Sequence, residues 1–146
     1  MSIVQDIASV IKEIVSEVII LEASYTHPLR DVPKPYPALV TLYDGFTRPT
    51  DEDDMDYFVT DLQYQLTLYL PYDGRAIEER WDELITLVWT LIVRFANDRT
   101  LGGNCRQSMI TSGEPVVHVS GKDSLPVAIG HSFVLIARVE TEDEYT

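Results

Sequence analysis

Hydrophobic residues recur with helical spacing in two segments of the chain, one at its start and one after its midpoint. The first segment follows Ser2, and its aliphatic residues are Ile3, Ile7, Val10, Ile11, Ile14, Val18 and Ile19. Because residues three and four positions apart lie on one side of a helix, this pattern predicts an amphipathic helix with Ser2 as its N-terminal cap. The second segment predicts a helix over residues 75–96, with a stripe formed by Ile77, Trp81, Leu84, Ile85, Val88, Leu91, Ile92 and Phe95.

The second predicted helix is also apolar outside that stripe. Leu87, Trp89 and Val93 lie beyond its edges, so the second half of the helix is apolar on more than one side. Two interpretations follow. Either the helix is central to the core, or it also contacts another subunit.

Alternation of apolar and polar residues over positions 58–70 predicts a long, half-buried strand. One side carries Phe58, Leu62, Tyr64, Leu66, Leu68 and Leu70, and the other carries Asp61, Gln63, Gln65, Thr67 and Tyr69. The second side is polar but uncharged apart from Asp61, which suits either a solvated sheet or a wet subunit interface.

Further strands are predicted on both sides of the second helix. Residues 38–43 form a short strand that ends at the turn pair Asp44-Gly45, and residues 104–112, 116–120 and 127–140 form three strands near the C-terminus. The last of these has aliphatic residues on both sides near its middle, which indicates a central strand or one covered on both sides.

This order of elements predicts the α+β class: an antiparallel or mixed β-sheet with two main helices packed on one face. A chain of 146 residues is normally one domain. We therefore expect a single domain over residues 1–146, with a mobile acidic loop at 44–57 and a frayed acidic tail at 141–146.

The net charge of the chain limits the classes of function that the sequence supports. The sequence has 24 Asp and Glu against 11 Lys and Arg, a formal net charge of −13. Since affinity for nucleic acids comes mainly from cations that neutralise phosphates, this composition argues against sequence-specific DNA binding. The acidic balance is compatible with a passage through which DNA slides without sticking, and ordinary solubility explains it equally well.

The acidic loop is the densest cluster of charge. Its carboxylates are Asp51, Glu52, Asp53, Asp54 and Asp56. They are numerous enough for a calcium site, but the glycine and the distal glutamate of an EF-hand loop are missing. We interpret the segment as a solvated loop that lines a lumen or faces a neighbouring subunit.

Neither covalent chemistry nor a cofactor is indicated. His27, His118 and His131 lie in a proline turn and in two different strands, without metal-ligand spacing, and Cys105 is the only cysteine. His118 and His131 could meet across strands, but no nucleophile motif, phosphate loop or dinucleotide fingerprint accompanies them. We expect a soluble protein that is not an enzyme and has no metal, no cofactor and no membrane partner. The longest apolar stretch, residues 84–93, is too short to span a bilayer.

A local motif follows the second helix, where residues 98–105 read Asp-Arg-Thr-Leu-Gly-Gly-Asn-Cys. Two successive glycines permit backbone angles that a side chain would forbid, so a sharp helix-to-strand turn explains the run by itself. The run also resembles the junction D-x-T-L-G-G-x-V of tail terminator and related tail-completion proteins of long-tailed bacteriophages, with Cys105 at the aliphatic position. The proline-rich connector before residues 37–40, the phrase at residues 64–69 and the order of elements are similar too.

The resemblance implies a structural virion protein. Such a protein forms a homohexameric ring that caps the head-proximal end of the tail tube, stops tube polymerisation and joins the head-side connector. The implied partners are further copies of the chain, the tail tube protein, a connector or stopper protein, and DNA only as a passing, non-specific contact. The implied location is the tail-neck junction of the virion, and the host cytoplasm during assembly.

Within this resemblance the candidate turn and subunit interface is formed by Arg99, Thr100, Leu101, Gly102 and Gly103. Two alternatives remain open. One is another neck or head-completion protein of the virion, and the other is a small ligand-binding or regulatory α+β domain of a cellular protein.

Overall fold

The computed structural model describes residues 2–29, 35–49, 57–71, 77–119 and 126–142. Its elements are, in order, α1 (Ile3–Val18), β1 (Ala23–Tyr25), β2 (Ala38–Thr47), β3 (Tyr57–Pro71), α2 (Ile77–Ala96), β4 (Gln107–Val119) and β5 (Pro126–Glu142). The strands form one five-stranded sheet in the order β1-β2-β3-β5-β4. β1 pairs in parallel with β2 and the other pairs are antiparallel, so the sheet is mixed. The predicted fold class is confirmed.

The start of α1 follows directly from the sequence. The Ser2 hydroxyl accepts a hydrogen bond from the Gln5 backbone N–H, and the Gln5 side chain accepts one from the Ser2 backbone N–H, each at 3.3 Å. This reciprocal cap satisfies two N–H groups that the first turn cannot bond. The predicted helix and its cap are confirmed.

Both helices pack against the same side of the sheet and enclose the core between them. α1 and α2 contribute Ile7, Ile11, Leu91 and Phe95, and β3 and β5 contribute Leu62, Tyr64, Leu66, Leu68, Phe133, Leu135 and Ala137. The fully buried Tyr64 donates a hydrogen bond from its hydroxyl to the Val4 carbonyl oxygen at 2.8 Å, which links the sheet to α1. Arg94 of α2 also forms an ion pair with Glu17 of α1 at 2.7 Å.

The predictions from the sequence are wrong or incomplete for strands that lie away from the centre of the sheet. β1 was not predicted, because three residues are too few to show alternation. β2 does not end at Asp44-Gly45 but continues to Thr47, with Gly45 at φ +100° where the register against β3 shifts. The predicted start of the acidic loop at residue 44 is therefore wrong, because residues 44–47 belong to β2.

Among its described residues, the C-terminal third contains two strands rather than three. β4 runs continuously from Gln107 to Val119, and a β-bulge between Ile110 and Ser112 accommodates an extra residue. β5 extends to Glu142, so residues 141 and 142 of the expected frayed tail are strand. Neither helix of the described ranges is long and apolar enough to cross a membrane.

Candidate assembly surfaces

The outer side of α2 carries an apolar stripe that is largely exposed among the residues that the structure describes. Ile85, Trp89 and Val93 follow one another at intervals of four residues and are 53%, 67% and 41% exposed. We call these three residues the α2 stripe. Ile85, which the sequence placed among the buried residues, is thus exposed, whereas Leu87 is half-buried and packs against the core cluster of Leu70, Leu84 and Ile129. The hypothesis that α2 is apolar on a second side is confirmed, with a different residue set.

The polar residues beside the α2 stripe are already hydrogen-bonded within the helix. Thr86 donates from its hydroxyl to the Asp82 carbonyl oxygen and Thr90 to the Thr86 carbonyl oxygen, both at 2.9 Å. No charged residue occurs between positions 84 and 93. Burial of this side of the helix between residues 84 and 93 would therefore bury no charged side chain, and a partner would need to supply an acceptor only for the Trp89 ring N–H.

The side of the sheet that faces away from both helices includes a second surface that is partly exposed among the described residues. Residues directly opposite one another in antiparallel strands lie on the same side of the sheet, so the register identifies its members. Successive rows comprise Leu42, Gln65, Val134 and Ser112, then Gln63, Ile136 and Met109, then Asp61, Arg138 and Gln107. We call these rows the open sheet face. Leu42, Val134 and Ile136 are half-buried, and Met109 is 50% exposed.

The open sheet face has one internal ion pair. Arg138 donates to Asp61 from Nε at 2.8 Å and from a terminal nitrogen at 3.0 Å, in the bidentate geometry that suits a guanidinium and a carboxylate. The pair borders an open depression of about 230 Å³ that Met109 and Ile136 also line. The charge that the sequence identified at Asp61 is thus neutralised in place by Arg138, a partner that only the strand register reveals.

The junction after α2 is a tight turn that the sequence predicted well. Leu101, Gly102 and Gly103 have φ values of 49°, 67° and 87°, all in the left-handed region that glycine tolerates best. The Asp98 carboxylate accepts from the Gly102 N–H at 3.1 Å, and the Thr100 carbonyl oxygen accepts from the N–H groups of Gly103 and Cys105.

These bonds divide the five predicted junction residues into two groups. The Leu101 side chain is fully buried in the core and is unavailable to a partner. Arg99, Thr100, Gly102 and Gly103 are exposed. A subunit contact at the junction, which stays a prediction, would therefore involve these four residues.

The cysteine and histidine residues considered for catalysis or metal binding do not come together as a reactive site in the described part of the chain. Burial and, to a smaller extent, the nearby Asp98 carboxylate raise the pKa of the Cys105 thiol to about 11, so the thiol is protonated at neutral pH. The register pairs His131 with Pro115 and His118 with Ala128, so the two histidines are not opposite one another. Across the described ranges, no three His, Cys, Asp or Glu residues are grouped as metal ligands would be.

The acidic loop carries the remaining predicted site. Asp51, Glu52, Asp53, Asp54 and Asp56 lie outside the described residues. Their orientation toward a lumen or a neighbour remains a prediction.

No protein-family model and no curated protein matches the sequence. Among solved structures, a chain from the virion of a native gene transfer agent (GTA) particle is similar, with 10% sequence identity and a TM-score of 0.43. The alignment covers 92% of this chain and 94% of that chain. The chain is thus similar to that virion chain in the broad course of its backbone.

Proposed function

We propose that the protein is a structural subunit of a phage-type virion and acts as a tail terminator. In this role, copies of the chain form a ring on the last ring of the tail tube. The ring occupies the site where another tube subunit would add and presents its other face to the head-side connector. The activity is steric, and no covalent step takes part in it.

The α2 stripe is the observation that carries this proposal. Burial of an aliphatic or aromatic side chain contributes about 1.5–3 kcal/mol, so an exposed Ile-Trp-Val stripe forgoes several kcal/mol in the monomer. Contiguous exposed apolar groups of this kind are characteristic of surfaces that bind other proteins. A protein whose function is assembly accounts for the stripe, whereas a monomeric regulatory domain does not require it.

The choice of a tail terminator among assembly proteins rests on the resemblance at the junction. The turn formed by Asp98, Leu101, Gly102 and Gly103 explains physically why that motif needs its aspartate and glycines. The size of the chain is compatible with a DNA channel. A domain of this length has a radius of gyration of about 15 Å and a diameter of roughly 38 Å, so six in contact leave a lumen of about 38 Å before loops narrow it.

Native mass spectrometry and negative-stain electron microscopy of the purified chain test the proposal. The chain is measured alone at increasing concentration and together with polymerising tail tube protein of the same virus. We expect closed rings and tubes that stop growing once the protein is added. A chain that stays monomeric under both conditions contradicts the proposal. Rings that bind the connector but leave tube growth unchanged would instead indicate a neck or head-completion protein.

A further inference from the structure

We draw no further inference here: the strongest candidate, the α2 stripe of Ile85, Trp89 and Val93, already carries the proposed function, and nothing in the structure shows which surface covers it.

Discussion

At the scale of single residues, the fold requires glycine at two positions for two different reasons. Gly103 needs its glycine for φ alone, since nothing lies within 4 Å of the position that a Cβ would occupy. Gly113 needs its glycine for space, because a Cβ there would collide with the backbone oxygen of Ser132 on β5. A side chain at Gly103 meets only backbone strain, whereas one at Gly113 must displace a neighbouring strand.

This difference predicts an order of stabilities. Gly103→Ala should cost about 1 kcal/mol, the usual penalty for a residue other than glycine at positive φ. Gly113→Ala should cost more, because paired backbone must move. Urea unfolding at neutral pH measures both free energies. An equal or smaller loss for Gly113→Ala would mean that β4 shifts freely at this point.

Cys105 makes stability depend on alkaline pH. Its pKa is raised from 9.0 to about 11 in the folded chain by burial and by the charge of Asp98. Above pH 9 the unfolded chain therefore binds fewer protons than the folded chain, so the free energy of unfolding falls as the pH rises toward 11. Burial also raises the pKa of Tyr64, which adds a loss that begins near pH 10.

Cys105→Ser isolates the contribution of the thiol. Urea unfolding at pH 8, 9, 10 and 11 should show a shallower fall in stability for Cys105→Ser than for the wild type, whatever their difference at pH 8. Most of the Tyr64 contribution is common to both proteins, because burial and Tyr43 raise the pKa of Tyr64 more than Cys105 does. Identical slopes between pH 9 and 10 would contradict the raised pKa.

At the scale of elements, one side of α2 serves folding and, in the proposed function, the other side serves assembly. Leu91 points into the core and is 2% exposed, while Trp89 two residues earlier points outward. Leu91→Ala should cost about 2–5 kcal/mol of stability, as buried leucines do. Trp89→Gln should change the free energy of unfolding of the monomer by less than about 0.5 kcal/mol, as exposed substitutions do, yet abolish assembly.

Urea unfolding measures the stability of the Leu91→Ala and Trp89→Gln variants, and native mass spectrometry of the same preparations measures their assembly. A Trp89→Gln variant that assembles normally would remove the stripe from the interface. One that unfolds readily would show that the indole supports the monomer instead.

The helices and strands that could be predicted well from the sequence are those that bury only one side. α1, α2 and β3 each bury one side against the core, so their periodicity is visible in the residues themselves. β4 was divided in two because Gly113 and Pro115 resemble a turn. In the structure β4 is an edge strand, where proline is tolerated because half of the N–H groups have no strand to bond. That tolerance depends on the strand order, which the local sequence does not contain.

The candidate surfaces were predictable to different degrees for the same reason. The excess of apolar residues on α2 indicated an additional contact, although helical phase alone could not decide between Ile85 and Leu87. The open sheet face needed the register of three strands, because Gln65, Val134 and Met109 are far apart in the sequence. The pairing of Asp61 with Arg138 became visible only with that register.

At the scale of the whole molecule, net charge opposes assembly while burial of the α2 stripe promotes it. Subunits that carry −13 each repel their neighbours across about 38 Å, a distance close to the Debye length of about 30 Å at 0.01 M salt and well beyond the roughly 10 Å at 0.1 M. The α2 stripe lies in a segment without charged residues, so it contributes no ion pair between copies that salt could weaken. Assembly should therefore strengthen as salt is raised, which is the opposite of an interface held by salt bridges.

Sedimentation velocity from 0.01 to 0.5 M NaCl measures this dependence, with the Trp89→Glu variant as a control that should stay monomeric throughout. Replacing Asp51, Glu52, Asp53 and Asp54 by Asn or Gln removes four carboxylates and changes the net charge from −13 to −9. This variant should assemble at lower salt than the wild type, with an unchanged melting temperature, if the loop faces a lumen or a neighbour. Assembly that weakens with salt would show that ion pairs between copies hold the ring, and would count against the α2 stripe as its main contact.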